Sequence, residues 1–319
     1  MAPGNLLVPR SYAIRDEDAN DGGTFVRAWV ADLPNLHPIV SNANNITEIQ
    51  RYTNRALSYR DRHEPDNFIP EIAYRVEPND DYTQYHVWLR DGVMWQRPAV
   101  DFNDPRYAWL EGEHEVVSDD FVFFLEAVMN PGVDAAHLAN YFEEFDHIEV
   151  INDHEFIVHW KSSTYISIEF TLGLEPLPRW LYAYDEDGNE YSEEEFPSAF
   201  NQHWYQDRSI GCGPYRFVRW EPGVSIELAR NEDYFDEKPP IERVVFRIIG
   251  DPNTRVNNLL SSDIEYTEFL PLQYSQYVLN EGNPAFHDGT IETGTYQGTV
   301  YRYLGWNAER PMFRDRRVR

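Results

Sequence analysis

Apolar residues in this chain arrive in short alternating blocks, each closed by turn residues, and this pattern constrains the fold more than any single motif. Thr24–Val30 alternates and reads as a strand stopped by Leu33-Pro34. Tyr82–Leu89 alternates again, with Tyr85, Val87 and Leu89 on one face and Asp91-Gly92 as the closing turn. His147 to Trp160 gives two strands about Asn152-Asp153, and Tyr215–Trp220 with Val224–Leu228 gives another hairpin about Pro222-Gly223. Val244–Ile249 is a continuous apolar run broken only by Arg247, which suits a strand central in its sheet.

Helical spacing appears between these blocks. Asn44 to Leu57 places Ile46, Ile49, Tyr52, Ala56 and Leu57 on one face. Ser118 reads as an N-cap, Asp119 and Asp120 suit the positive end of a helix dipole, and Asn130-Pro131-Gly132 stops that helix. Asp251-Pro252 pairs an N-cap with proline at the first helical position, and the helix runs to Leu260 before Ile264–Thr267 returns as a strand. Arg97 to Val117 reads as an extended loop, Asp185–Glu195 as a solvated acidic loop, and Met1 to Gly23 as a loose leader. Strands and helices interleave without a repeat, so the class is mixed α/β. At 319 residues the chain is long enough for two lobes or one large discontinuous domain.

Charge narrows the partners. Against 55 acidic residues stand 27 basic ones, a net charge of -28. Such a field repels phosphate backbones and anionic lipid surfaces, so neither nucleic acid nor direct membrane docking is expected. Mean hydropathy is -0.62, and no apolar run is long enough to cross a bilayer. Met1 to Val8 lacks a basic leader, so no signal peptide is expected within this sequence.

Several catalytic patterns fail on spacing. His154-Glu155 and His159 imitate a zinc-protease signature, but the second histidine falls one residue late and the segment alternates as a strand. Asp185, Asp187 and Asn189 imitate a calcium loop, yet Glu190 stands where glycine is required and Phe196 where a bidentate Glu belongs. Cys212 is the single cysteine, which excludes an intrachain disulfide and a Cys-rich zinc site. Between Gly211 and Gly213 it reads as packing more than as a reactive thiol. No nucleophile elbow, phosphate loop or dinucleotide fingerprint occurs. Paired carboxylates with aromatic platforms leave a carbohydrate-active enzyme as an alternative. No cofactor or metal is expected.

In order along the chain, several segments resemble one family. Thr24-Phe25-Val26 with Leu36-His37-Pro38 is similar to its opening strand and turn. Ile69-Pro70-Glu71-Ile72-Ala73, then Tyr85-His86-Val87-Trp88-Leu89-Arg90-Asp91-Gly92-Val93-Met94-Trp95, follows, with the helix start Val117-Ser118-Asp119-Asp120-Phe121-Val122. Ile210-Gly211-Cys212-Gly213-Pro214-Tyr215-Arg216-Phe217 and Arg230-Asn231-Glu232-Asp233-Tyr234-Phe235 come later, then Val245-Phe246-Arg247-Ile248-Ile249. Leu304-Gly305-Trp306-Asn307, Pro311-Met312-Phe313-Arg314-Asp315 and Arg317-Val318-Arg319 close the series. Together they resemble the extracytoplasmic solute-binding proteins of the peptide and nickel ABC transporter class, solute-binding family five. Cys212 and Glu232 depart from the usual Thr and Pro, the Asp-Gly expected after the first Trp is displaced by the Arg97–Val117 insertion, and the chain stops at Arg319 where family members continue.

The resemblance implies a type II periplasmic-binding-protein-like α/β fold with two lobes and an extra subdomain. Here that means a flexible leader at 1–23, lobe I at 24–46 and 179–299, its inserted subdomain at 47–178, and the start of the crossover to lobe II at 300–319. It also implies capture of a peptide or related small solute (oligosaccharide, nickel chelate and opine being alternatives) and delivery to ABC permease subunits. The setting would be periplasmic or extracytoplasmic, with membrane contact only through a lipid anchor outside this chain. By alignment, Asn42-Ala43-Asn44 runs beside the ligand, although its asparagines equally suit capping of the following helix. Thr267-Glu268-Phe269 forms the other rim, where Glu268 either meets a ligand cation or faces solvent. Tyr141 and Tyr303 fall near aromatic positions of the family, where core packing is the competing role.

The base is almost all arginine, with lysine only at Lys161 and Lys238. A saline habitat and an ordinary acidic secreted protein both fit that surface. The saline reading expects denaturation midpoints to rise between low and high salt, and a flat response would sink it.

Overall fold

The computed structural model describes residues 4–12, 19–41, 43–295 and 304–318. The chain forms two compact units, Met1–Glu268 and Phe269–Arg319. In the first unit, β1 (Thr24–Trp29) pairs in parallel with β10 (Arg243–Ile248). β10 in turn pairs antiparallel with β9 (Ser225–Arg230), which completes a hairpin with β8 (Tyr215–Glu221). The resulting order β1-β10-β9-β8 makes β10 central, as its apolar run requires.

Helix α1 (Asn44–Thr53) covers one face of this sheet through Ile46 and Ile49. These two pack in a core with Trp29, Phe217, Leu228 and Phe246. The helix ends at Thr53, four residues short of the Leu57 that its spacing allowed. Leu57 is fully buried, but as part of the extended segment that follows, where its N–H donates to Leu174 O at 2.8 Å.

A second four-stranded sheet, ordered β4-β5-β7-β6, is antiparallel throughout: β4 (Ala73–Pro78), β5 (Gln84–Leu89), β7 (Glu155–Trp160) and β6 (Phe145–Asn152). A short ladder of β2 (Ser58–Arg60) and β3 (Phe68–Pro70) precedes it. Tyr85, Val87 and Leu89 are buried as their alternation indicates, with Tyr85 opposite Val158 and Val87 opposite Phe156 of β7. Helix α2 (Ser118–Met129) lies over this face, with Phe121 and Phe156 ring centroids 5.3 Å apart. Helices α3 (Ala136–Ala139), α4 (Tyr165–Leu172), α5 (Arg179–Tyr182) and α6 (Phe196–Asn201) close the same, larger core, and α7 (Pro252–Leu260) follows β10.

Five expectations need correction. Ser118 is the first helical residue and not the cap; its buried hydroxyl donates to Asn152 O (2.8 Å) and Asp153 O (3.0 Å), tying α2 to the β6–β7 turn. The opening residues are not wholly loose, because Leu6 and Leu7 find apolar surface beside the second sheet. Leu6 N donates to Val76 O and Val8 N to Phe68 O, with Leu7 buried between. The Arg97–Val117 segment holds a 3₁₀ turn at Pro105–Leu110, whose Tyr107 and Trp109 reach the acidic turn at Glu186. That turn is held by the Asp185 carboxylate, which accepts from the N–H groups of Asp187 and Asn189, so it is packed as well as solvated. Ile264–Thr267 forms only an isolated bridge, Tyr266 to Arg27, on the open edge of β1.

The two cores of the first unit meet backbone to backbone where Gly211-Cys212-Gly213 crosses the end of α1. Gly213 N donates to Thr53 O at 2.8 Å. A Cβ at Gly211 would lie 2.0 Å from Thr53 O, and one at Gly213 2.7 Å from Thr53 C, so neither position admits a side chain. The Gln96 amide, 7% exposed, spans the junction by donating to the carbonyls of Thr53, Gly213 and Tyr215. Cys212 is buried between the glycines, and burial pushes its thiol up to about 12.

The second unit is built of short turns. Pro271–Gln273 runs into Tyr274–Val278, Pro284–Phe286 and Pro311–Phe313 are 3₁₀ turns, and Phe269 meets Phe286 edge-on at 5.8 Å.

Gly211→Ala is expected to cost about 3 kcal/mol or more, because the clash is with backbone that cannot rotate away. Gly4→Ala, with nothing within 4 Å of its added methyl, should fall within about 0.5 kcal/mol of the parent. Urea denaturation midpoints of the two variants test the contrast.

Candidate functional site at the carboxyl ends of the parallel strands

In an open α/β sheet, ligands bind beyond the carboxyl ends of the strands where the chain departs in opposite directions. Here β1 and β10 are the only parallel pair among the described strands, and both exit at one edge: Ile249 N donates to Trp29 O at 2.8 Å. From β1 the chain passes through residues 30–43 to the start of α1. From β10 it passes directly into α7.

Each exit is fastened. The Asp251 carboxylate caps α7 by accepting from Thr254 N at 2.7 Å. Arg255, buried on that helix, donates back to the carbonyls of Ile249 (2.9 Å) and Gly250 (3.1 Å). On the other side Asp32 accepts from Trp220 Nε1 and Gly223 N, and Asn45 Nδ2 donates to Ala31 O. Glu48 of α1 reaches β1, accepting from Trp29 Nε1 at 2.9 Å and pairing with Arg27. The Arg27 guanidinium stacks 4.8 Å from the Tyr266 ring centroid.

Two features of this edge lack a side-chain partner among the described residues. The first turn of α1 carries no acidic residue, and its N-cap, Ala43, offers no side-chain acceptor, so the amides of the positive helix end lack a side-chain cap. Thr267, one residue past the bridge to Arg27, is buried, and its hydroxyl has no hydrogen-bond partner. Val30, 64% exposed, adds apolar surface at the end of β1.

Ala43 and Asn44 stand at the start of α1, whose Asn45 donates to Ala31 O just past β1, and Thr267 follows the bridge of Tyr266 to Arg27. Asn44 is exposed as the first helical residue, with Ala43 in the cap position. Glu268 is exposed beside Thr267 and has interactions of its own. Phe269 begins the second unit. Tyr141 belongs to the rim of the larger core, where its half-exposed ring stacks on Phe170 at 4.5 Å. Asn42 and Tyr303 lie outside the described residues. Sequence reading missed Arg27, Trp29 and Glu48. The signal was present in an arginine within an alternating strand and a glutamate on the facing helix, but only the fold pairs them. The histidines singled out earlier are elsewhere, on the second sheet, with His159 stacked on His147 at 4.2 Å.

Comparison with known proteins bears on this arrangement. Residues 67–319 match the family model described as Bacterial extracellular solute-binding proteins, family 5 Middle. The oligopeptide-binding protein AppA of Bacillus subtilis is 23% identical over 93% of this chain and 49% of its own length. Its structure with a nonapeptide superposes with a TM-score of 0.63 at 20% identity, over 77% of this chain and 44% of that one. A dipeptide-binding protein from Pseudoalteromonas sp. SM9913, in complex with Met-Leu, gives 0.61 at 17% identity over 81% and 50%. MoaA from A. tumefacien R10, in complex with mannopinic acid, gives 0.60 at 18% identity over 82% and 48%. The solved structures share the type II periplasmic-binding-protein fold with this chain, which spans about half the length of the curated relative it matches over nearly its whole extent.

Thr267→Val replaces the unpartnered hydroxyl with a methyl of the same shape. Its melting temperature is expected to equal or exceed that of the parent, because no hydrogen bond is lost and a buried polar group is removed. A clear drop would show that the hydroxyl supports the fold.

Proposed function

Because the chain belongs to the bacterial extracellular solute-binding proteins of family 5, we propose that it is the front part of a transport receptor that captures peptide between two lobes and hands it to ABC permease subunits. The observation that carries this reading is the end of β1, where α1 begins without a side-chain cap and where Thr267, one residue past the bridge to Arg27, has a hydroxyl with no partner among the described residues. Backbone donors of this kind suit an extended peptide, whose own carbonyls or terminal carboxylate accept from them whatever its side chains are. Family resemblance nominates Asn42, Ala43, Asn44, Thr267, Glu268, Phe269, Tyr141 and Tyr303 as the ligand contacts of this proposal.

The lobe division follows the same reading: 24–46 and 179–299 form lobe I, 47–178 its inserted subdomain, and 300–319 the start of the crossover. The protein acts by binding, and catalysis has no part in it. Three acids of this edge, Asp32, Glu48 and Asp251, each accept hydrogen bonds from tryptophan indoles or backbone amides and are committed to the scaffold. Its place is the cell envelope outside the cytoplasm. Closure of two lobes on one ligand makes affinity depend on contacts to both, so this chain alone is expected to bind weakly or not at all.

Native mass spectrometry of the full-length gene product tests the reading, with co-purified peptide the expected finding. A full-length protein that carries no ligand and whose melting temperature ignores peptide pools overturns it. Carriage of an opine or a nickel chelate would keep the receptor and replace the peptide, as the mannopinic acid complex of MoaA makes plausible. Turnover in a glycosidase screen, lost on removing one carboxylate, would favour the enzyme alternative.

A further inference from the structure

At the opposite end of α1 from the edge just described lies an open cleft of about 750 Å³. A ten-residue helix is about 15 Å long, so the two places are separate. The cleft is walled by the last turn of α1, by β2 and the residues after it, by Arg10 and Tyr12, and by the loop at Tyr234–Asp236. Five arginines line it against three carboxylates. In a chain with twice as many acids as bases, a lining in which arginines outnumber carboxylates is a local departure from the overall field, which repels anions.

The pairing of these charges decides what the cleft can hold. Arg10 is held by Asp236 and Glu237. Arg60 is held by Glu169, and Arg55 pairs with Glu71 at 2.9 Å while donating to Tyr234 Oη at 3.0 Å. Arg51 and Arg62 also line the cleft; neither forms a close ion pair among the described residues, although Arg51 lies within electrostatic reach of Glu175. Arginines kept for stability in so acidic a chain would be expected to meet carboxylates. Both are exposed, and they present guanidinium forks without a close carboxylate among the described residues to a concave, partly aromatic surface that includes Tyr12, Tyr59 and His63. Glu175 accepts from Asn54 Nδ2, and Glu71 is buried against Arg55, with desolvation pushing its carboxyl up to about 7.

We propose that this cleft binds a small oxyanion-bearing molecule, a dicarboxylate or a phosphate ester, with Arg51 and Arg62 as its charge-recognising residues. A guanidinium presents paired N–H donors matched to two oxygens of a carboxylate or phosphate, which is the shared chemistry of both sources. Tyr12 and Tyr59 flank the organic part. This site is separate from the peptide edge and does not rest on the transport reading, so loss of either leaves the other standing.

The test is titration calorimetry of the 319-residue chain with sodium phosphate, sodium sulfate and sodium succinate, against chloride at equal ionic strength. Saturable binding with Kd below about 1 mM is expected for at least one of them, accompanied by a rise in melting temperature. Tighter binding of phosphate or sulfate assigns a phosphoryl ligand, and tighter binding of succinate assigns a dicarboxylate. Arg51→Gln with Arg62→Gln is expected to weaken binding at least about tenfold while leaving the melting temperature in chloride unchanged. Arg62→Gln alone, at an exposed side chain with no partner to lose, keeps the comparison valid if the double variant folds poorly; a several-fold weakening is expected. Absence of saturable binding in the parent, or equal binding in parent and variants, overturns the proposal.

Discussion

The structure of the first unit depends on one close approach, the passage of Gly211-Cys212-Gly213 over the last turn of α1. Where a Cβ would sit only 2.0 Å from Thr53 O, the backbone leaves no room for a side chain, and the approach fixes α1 along a single line. Gln96 then ties the carbonyls on both sides of the junction together, a buried amide whose donors reach three acceptors. The core beneath the parallel pair and the larger core beneath the antiparallel sheet thus share a rigid joint. Because α1 is fixed there, both of its ends are placed: its amino end at the exits of β1 and β10, its carboxyl end in the arginine-lined cleft.

Much of this was legible in residue order, for identifiable reasons. The inward faces of β5 and β7 follow from strict alternation, which a strand enforces through its pleat. Asp251-Pro252 marks the start of α7 because each residue fits only one helical position well, and both occupy the positions their chemistry specifies. Ser118 misled because a serine before an acidic pair looks like a cap, whereas its hydroxyl is spent on carbonyls of a distant turn, a tertiary contact that no local pattern records. The end of α1 misled similarly. Helical spacing continued to Leu57, but the chain was already committed to extended pairing with the segment near Leu174.

The candidate site was legible only in part. Ala43, Asn44 and Thr267 were reached through family resemblance; the fold puts the first two at the start of α1 and Thr267 just past the bridge to β1. What sequence could not supply is the state of each group. That the Thr267 hydroxyl is unpartnered, or that Arg27 is shared between Glu48 and the Tyr266 ring, depends on neighbours more than twenty residues away. The arginine cleft is a sharper case, because the members of its walls are scattered from Arg10 to Asp236. In composition they vanish into a strongly acidic average.

The burial of Cys212 has a use of its own. Its sulfur lies at the joint between the two cores, 1% exposed and held in the thiol form. A thiol-reactive dye can reach it only when the strap over α1 lifts, so labelling rates in native buffer would report how often that joint opens. The chain thus carries a built-in clock for its own loosening, one sulfur placed where the two halves of the first unit part.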